Sequence, residues 1–210
     1  MRNFQDGLMF FNSSNTNLNA AFTAAATDIC TDTAHGLATG DKVHVANSGT
    51  DLPAGLSTST DYYVVKIDAN TFYLNSKPGD SSGDRVDITD AGTGTHTYYV
   101  KSKYVYVGDW QHAEVAIGTA GSANFTVNLQ GSNQRDVDFE AAASATNRWD
   151  YVQMVDKEDG STVNGDTGFA PAGTDDNKQY AVNVDGFYWL CLDVSAWTAG
   201  YMYATCSVYE

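Results

Sequence analysis

Basic residues are scarce in this chain of 210 residues: 11 Lys and Arg face 26 Asp and Glu, for a formal net charge of −15. A phosphate backbone is repelled at that charge unless a local basic patch exists, and the closest candidate, Lys101 with Lys103, is only two charges in a tyrosine-rich segment. Nucleic acid and anionic membrane surfaces are therefore not expected partners. No apolar run approaches the ~18 residues a spanning helix needs. The opening MRNFQDGLMFFNSSN has no basic start followed by a long apolar stretch. Neither conventional secretion nor membrane spanning is expected from it. The three cysteines, Cys30, Cys191 and Cys206, are odd in number and without metal-ligand spacing, so reduced, structural thiols in a protein that matures in a cytoplasm are expected. A Cys191 to Cys206 bridge between neighbouring C-terminal strands stays open as an alternative.

The motifs of catalysis are missing as well. His35, His44, His96 and His112 are scattered one to a strand or turn, with no HxH, HxxxH or nearby Cys. No GxSxG occurs, and Cys191 lies mid-strand in an apolar run. Asp136, Asp138 and Glu140 alternate and Asp175 adjoins Asp176, but 26 acidic residues supply such pairs by chance. The loops DSSGD and GTDDNK offer oxygen ligands for Ca²⁺ without matching any binding motif, and solvated surface loops are the expected reading. The chain is thus expected not to be an enzyme, with no catalytic residue, cofactor or metal.

What is present is β chemistry: 13 Tyr, 9 Phe and 4 Trp, with 19 Gly for punctuation and only 3 Pro. The first 20 residues read as an arm, LMFF followed by a polar NSSNTNLN, able to add a strand to its own C-terminal domain or to a neighbouring subunit. Residues 21–102 read as a small closed or half-open barrel of five or six strands. Val43 and Val45 share a face, Tyr63, Val65 and Ile67 alternate inward, Asp68-Ala-Asn70 turns, Phe72 and Leu74 return, and RVDIT and HTYYV follow. YYVKSKYVYVGDW, without linker composition, predicts a continuous or gently bent strand across a boundary near Ser102. Residues 103–210 read as an antiparallel β-sandwich, jelly-roll-like, with strands HAEVAIGT, NFTVNLQGS, WDYVQMVD, QYAVNVDG, FYWLCLDVS and YMYATCSVYE separated by turns such as AGSAN. Its expected core is Phe125, Val127, Leu129, Val182, Val184, Leu190, Leu192 and Val194. Only DVDFEAAASATNRW suits a short helical turn, with Asp138 as cap. Whether the barrel is an insertion within the sandwich, with the arm as the sandwich's first strand, the pattern leaves open.

Residues 27–100 resemble a module of tailed-bacteriophage structural proteins, through TDTAHGLATGDKVHV, LPAGLSTSTDYYVVKIDANTFYL and DITDAGTGTHTYYV in that order. The second half is similar, more loosely, to phage β-sandwich proteins, through NFTVNLQGSNQ, VDGFYWLCLDV and a last tyrosine-rich strand. The resemblance implies no catalytic residues. It implies a virion structural protein assembled in the host cytoplasm: a capsid decoration or cement component, or another surface-displayed one. Such a protein binds the major capsid or tail protein and forms a homo-oligomer, a trimer if it caps a threefold site. The alternative is a tail or head-fibre module that binds host-surface glycans. Tyr201, Tyr203 and Tyr209 alternate on the last strand and Tyr188 and Trp189 point to opposite faces, so some aromatics are expected outside the core. Subunit contact is their favoured use over sugar stacking, for which Trp149, Trp189 and Trp197 are the candidates.

Overall fold

A computed structural model describes residues 4–11, 18–136, 149–171 and 176–210, except the side chains of 195, 197 and 199. The expected helical turn at DVDFEAAASATNRW, with Asp138, lies almost wholly outside them. The described chain is all-β, apart from one 3₁₀ turn at Ser82–Asp84. It divides into two units: Asn15–Lys101, and Met1–Ser14 together with Ser102–Glu210. The barrel segment is thus inserted between the N-terminal strand and the rest of the second unit, and the boundaries fall at 14/15 and 101/102 where the sequence placed them near 20/21 and 102/103.

The Asn15–Lys101 unit is a closed six-stranded barrel. Its strands are β2 (Asn19–Ala24), β3 (Cys30–Thr31), β4 (Lys42–Asn47), β5 (Asp61–Lys66), β6 (Thr71–Asn75) and β7 (His96–Lys101), in the order β2-β3-β6-β5-β4-β7. Val43, Val45, Phe72, Leu74, Tyr98 and Phe22 fill it. In β5 the alternation that faces the barrel interior is Tyr62 and Val64, one residue out of step with the expected Tyr63, Val65 and Ile67: of these Tyr63 is buried, at 8% exposure, but Val65 is half-buried and Ile67 43% exposed. Four consecutive strand-formers, Tyr62 to Val65, offer both parities, and a one-residue slip exchanges the faces. The barrel's own bonds choose between them: Val64 donates its N–H to the Asp41 carbonyl at 2.8 Å and accepts the Gly40 N–H at 2.9 Å. RVDIT is no strand; Arg85 makes one isolated bridge to Asn75, and Val86 and Ile88 plug the core from an irregular segment.

The other unit is one antiparallel sheet of β1 (Phe4–Met9), β8 (Val105–Tyr106), β9 (His112–Ser132), β10 (Asp150–Tyr151), β11 (Met154–Asp156), β12 (Thr162–Val163), β13 (Asn177–Asn183) and β14 (Trp189–Tyr209). Its main path is β1-β14-β9-β13-β11-β12, with β8 on β14 and β10 on β9. AGSAN is not a hairpin turn: β9 and β14 each run 21 residues and pair with each other from Trp189↔Ser132 to Tyr209↔His112. Register shifts in the middle bend the pair, where Gly121 (φ 73°) and Gly200 (φ 97°) adopt left-handed conformations. Phe125, Val127, Leu129, Val182, Val184, Leu190 and Leu192 are buried as the pattern indicated, whereas Val194, at the first shift, is half-buried. Phe169 bridges to Val127 and sets its ring 5.9 Å from that of Tyr180 on β13, joining the two ends of the bent ladder. The arm supplies β1, which pairs with β14 within its own chain. The chain breaks step at Ser102, whose hydroxyl accepts the Leu192 N–H at 2.7 Å, so β7 and β8 are separate strands.

Candidate interaction surface

The HGLATGD block is a set of staples. His35 is 1% exposed; its Nδ1 accepts the Leu37 N–H at 2.9 Å, which makes Nε2 the protonated nitrogen, facing the Asp68 carbonyl at 3.1 Å. Burial lowers the His35 pKa below the usual imidazole range, the Asp68 carbonyl opposing. Asp41 accepts the Ala38 N–H at 2.8 Å, and the Thr39 hydroxyl accepts the Lys66 N–H at 3.1 Å. Gly36 and Gly40 take φ of 69° and 93°, which the turn between these bonds requires. Asp68 caps the following turn, its carboxylate accepting the Asn70 and Thr71 N–H groups, which depress its pKa.

The other histidines are equally local. His44 lies 2.9 Å from Asp61, which also meets Lys42 at 3.4 Å. His96 is buried against Phe22 with Nε2 on the Ala91 carbonyl, and His112 is exposed with its ring 5.6 Å from that of Tyr209. None of the three thiols is in a disulfide, and all are buried. Cys191 and Cys206 sit at opposite ends of β14, opposite Gln130 and Val115, so the neighbouring-strand premise for a bridge does not hold. Burial pushes Cys30 and Cys206 up to about 12.

Of the acidic candidates, Asp138, Glu140 and Asp175 lie outside the described residues, Asp136 is exposed, and Asp176 caps Thr119 through its N–H. In the DSSGD loop, Ser81 caps the 3₁₀ turn and Asp84 meets Lys77 at 3.4 Å. Among the described residues no three His, Cys, Asp or Glu side chains are grouped to hold a metal ion. Nor is any helix among them long and apolar enough to cross a membrane.

What the sheet does assemble is a face. Cross-strand registers place Phe4 beside Tyr209 and His112, Met9 beside Thr205 and Ala116, Tyr203 beside Gly118 and Asn177, and Tyr201 beside Ala120. Phe4 is 61% exposed, Tyr201 47%, Met9 40%, Val155 39% and Tyr203 36%. Ala116, Gly118, Ala120 and Ala181 give the floor between them. The Tyr203 ring lies over Gly118, where an added Cβ would meet it at 1.9 Å. Two acidic groups here are engaged within the chain: Glu114 pairs with Lys157 at 2.8 Å, and Asp6 accepts the Ser207 hydroxyl at 2.7 Å, which holds its carboxyl below the usual range. Large exposed apolar side chains on a sheet, with small residues between them, are what a protein surface docks against. Tyr201 and Tyr203 were legible as exposed from strand alternation. Phe4, Met9 and Val155 were not, because only the pairing brings them to the same face.

A second group of aromatics occupies the other end of the bent ladder. Tyr106 pairs across to Trp189, which pairs to Ser132. Trp149 precedes Asp150, the partner of Gly131, and so continues that row. Ring centroids are 5.2 Å apart for Tyr104 and Trp149, 5.1 Å for Tyr106 and Trp189, and 6.5 Å for Tyr106 and Tyr188. All five residues are half-buried, and Trp189 donates its Nε1–H to the Arg135 carbonyl at 3.1 Å. Trp197 lies in β14 with its side chain outside those described.

No family model matches the chain, and no curated protein matches it. Among solved structures it is similar to the crystal structure of the PBSX exported protein XepA, at 9% identity and a TM-score of 0.37, over 99% of this chain and 82% of that one.

Proposed function

We propose that the chain is a non-enzymatic structural protein of a tailed-phage particle, a capsid decoration or another surface-displayed component. It binds other virion proteins, as a homo-oligomer, and is assembled in the host cytoplasm. The observation that carries the reading is the sheet face bearing Phe4, Met9, Val155, Tyr201 and Tyr203, each more than a third exposed. Large apolar side chains held on a rigid sheet lose little entropy on docking. The phage-like blocks support it from the other unit: their His35, Thr39, Gly40 and Asp41 are absorbed in hydrogen bonds that hold a barrel together, which is the work of a scaffold. A net charge of −15 suits a protein displayed densely without precipitating.

The test is incorporation. Particles assembled with Tyr201→Asp/Tyr203→Asp are expected to carry at least about tenfold less of the protein than wild type, the loss of two interface anchors. The isolated variant should keep its circular dichroism spectrum and melting temperature within a few degrees. Wild-type incorporation by a folded variant would remove the basis for this face as the contact.

A further inference from the structure

We infer that Asp6 is a site of spontaneous modification: its carboxyl is set to close onto the Gly7 nitrogen as a cyclic imide, which reopens to an isoaspartyl link in strand β1. The inference concerns the chain's own chemistry and stands apart from the virion reading.

An aspartate followed by glycine is open to this reaction because glycine has no Cβ to obstruct the attack. The chain holds three such pairs, at Asp6, Asp159 and Asp185, together with Asn164–Gly165. The fold treats the four differently. Asp6 and Gly7 form the bulge at which β1 breaks register against β14, so they lie outside the ladder, and both are exposed. Gly7 is left-handed, with φ 76°, and nothing lies within 4 Å of the place a Cβ would take. The Gly7 N–H donates to Oδ1 of Asp6 itself at 2.7 Å, and the Ser207 hydroxyl donates to the same oxygen at 2.7 Å. The carboxyl is thus held back against the nitrogen that attacks it, and the ordering the reaction needs is already in place.

The other three sites lack that arrangement. The Asn164 carbonyl accepts the Thr167 and Gly168 N–H groups, the Gly165 carbonyl accepts the Asn128 amide at 2.7 Å, and Gly165 is buried against Tyr151. The Asp159 carboxylate turns to the Ser161 N–H at 2.7 Å, and the Gly160 N–H is committed to the Asp156 carbonyl at 2.9 Å. Asp185–Gly186 is the close control. It is also exposed and its glycine also left-handed, with φ 90°, but its hydrogen bond runs from the Asp185 N–H to Asn183 and not from Gly186 to the carboxyl.

The step balances without a co-reactant. Gly7 gives up its amide proton to solvent, its nitrogen bonds to Cγ of Asp6, and the carboxyl oxygen leaves as water. Water then adds back at one of the two imide carbonyls. Opening at the main-chain carbonyl breaks that carbon's bond to nitrogen and leaves Gly7 joined through Cγ, with no net change in mass. The main chain is then one carbon longer and bears the α-carboxylate as a side group. Phe4 and Gln5 lose step with Tyr209 and Val208, while Leu8 and Met9, beyond the link, keep Cys206 and Thr205.

The experiment ages the full chain in buffer and, in parallel, in urea, then digests both with trypsin. Asp6, Asp185 and the 159–165 stretch fall on separate peptides, 3–42, 179–210 and 158–178. Isoaspartyl forms are counted as chromatographically shifted peptides of unchanged mass that an isoaspartyl methyltransferase labels, and deamidation of Asn164 as a gain in mass. In the native protein Asp6 is expected to convert at least about tenfold faster than Asp185 or Asn164. Its rate should rise from pH 8 to pH 5, because the neutral carboxyl is the form attacked. In urea the Asp6 and Asp185 rates should converge. The inference is overturned if Asp6 stays unmodified in the native protein, or if Asp185 or Asn164 converts as fast there. A rate that falls on acidification, or a lead over Asp185 that persists in urea, overturns it too, since the fold would then not be its cause.

Discussion

Buried thiols and a buried imidazole set how single residues respond to chemical attack and to pH. Cys30 and Cys206, raised to about 12 by burial, hold almost no thiolate near neutrality. Both are expected to react with a disulfide reagent at pH 8 only after denaturant is added; rapid reaction in the native protein would contradict the buried placement. His35 is a histidine whose folded pKa is lowered, so the unfolded chain binds the proton more tightly. Its contribution to stability is whole above about 6.5, the unfolded value, and is lost as pH falls below it. Chemical denaturation at pH 7 and pH 5 should show the barrel weakening. His35→Ala should flatten that dependence while costing about 3 kcal/mol at pH 7, from a lost acceptor and a cavity. Asp6, Asp68, Asp90 and Asp159 have lowered values instead, so their contributions persist until the solution is more acidic than about pH 4. The sequence showed His35 in a glycine-bearing turn. It did not show the Asp68 carbonyl, 33 residues on, that orients the ring.

At the scale of the element, the two 21-residue strands carry the chief difference between pattern and structure. AGSAN and the TAG before Tyr201 both look like turns, since each pairs small residues with a left-handed glycine. A single sequence does not reveal that the two glycines lie on paired strands and bend one ladder together. The barrel hairpin was read correctly in place but not in parity, because DYYVV is apolar at both phases while the deciding bonds come from Gly40 and Asp41. The bend can be tested asymmetrically. At Gly200 a Cβ would meet the Ala123 Cα at 2.6 Å, whereas at Gly121 its nearest neighbour is 4.0 Å away. Gly200→Ala is expected to cost about 3 kcal/mol in urea denaturation, from strain and clash together, and Gly121→Ala about 1 kcal/mol from backbone strain alone. Equal losses would mean that the close approach at Gly200 is not formed.

For the whole molecule, composition was enough to give an all-β chain, and strand rhythm was enough to give a barrel followed by antiparallel strands. The expected jelly-roll-like sandwich of two sheets is instead a single antiparallel sheet, because its two longest strands pair with each other along their whole length. Chain order concealed the nesting: β1 closes against the last strand, so the barrel interrupts the unit it follows. A closed barrel has no free edge and needs no partner strand. Residues 15–101 expressed alone are therefore expected to give a dispersed amide spectrum and a cooperative melt; a collapsed spectrum would show that the barrel depends on the other unit. The aromatic face and the barrel staples are the two features on which the proposed scaffold role rests.

The most direct measurement of that claim is quantitative mass spectrometry of purified phage particles from a host carrying the gene. The chain is expected at a fixed copy number relative to the major capsid or tail protein, retained through density-gradient purification and lost when its gene is deleted. Its presence in the lysate but absence from intact particles would rule out the virion role.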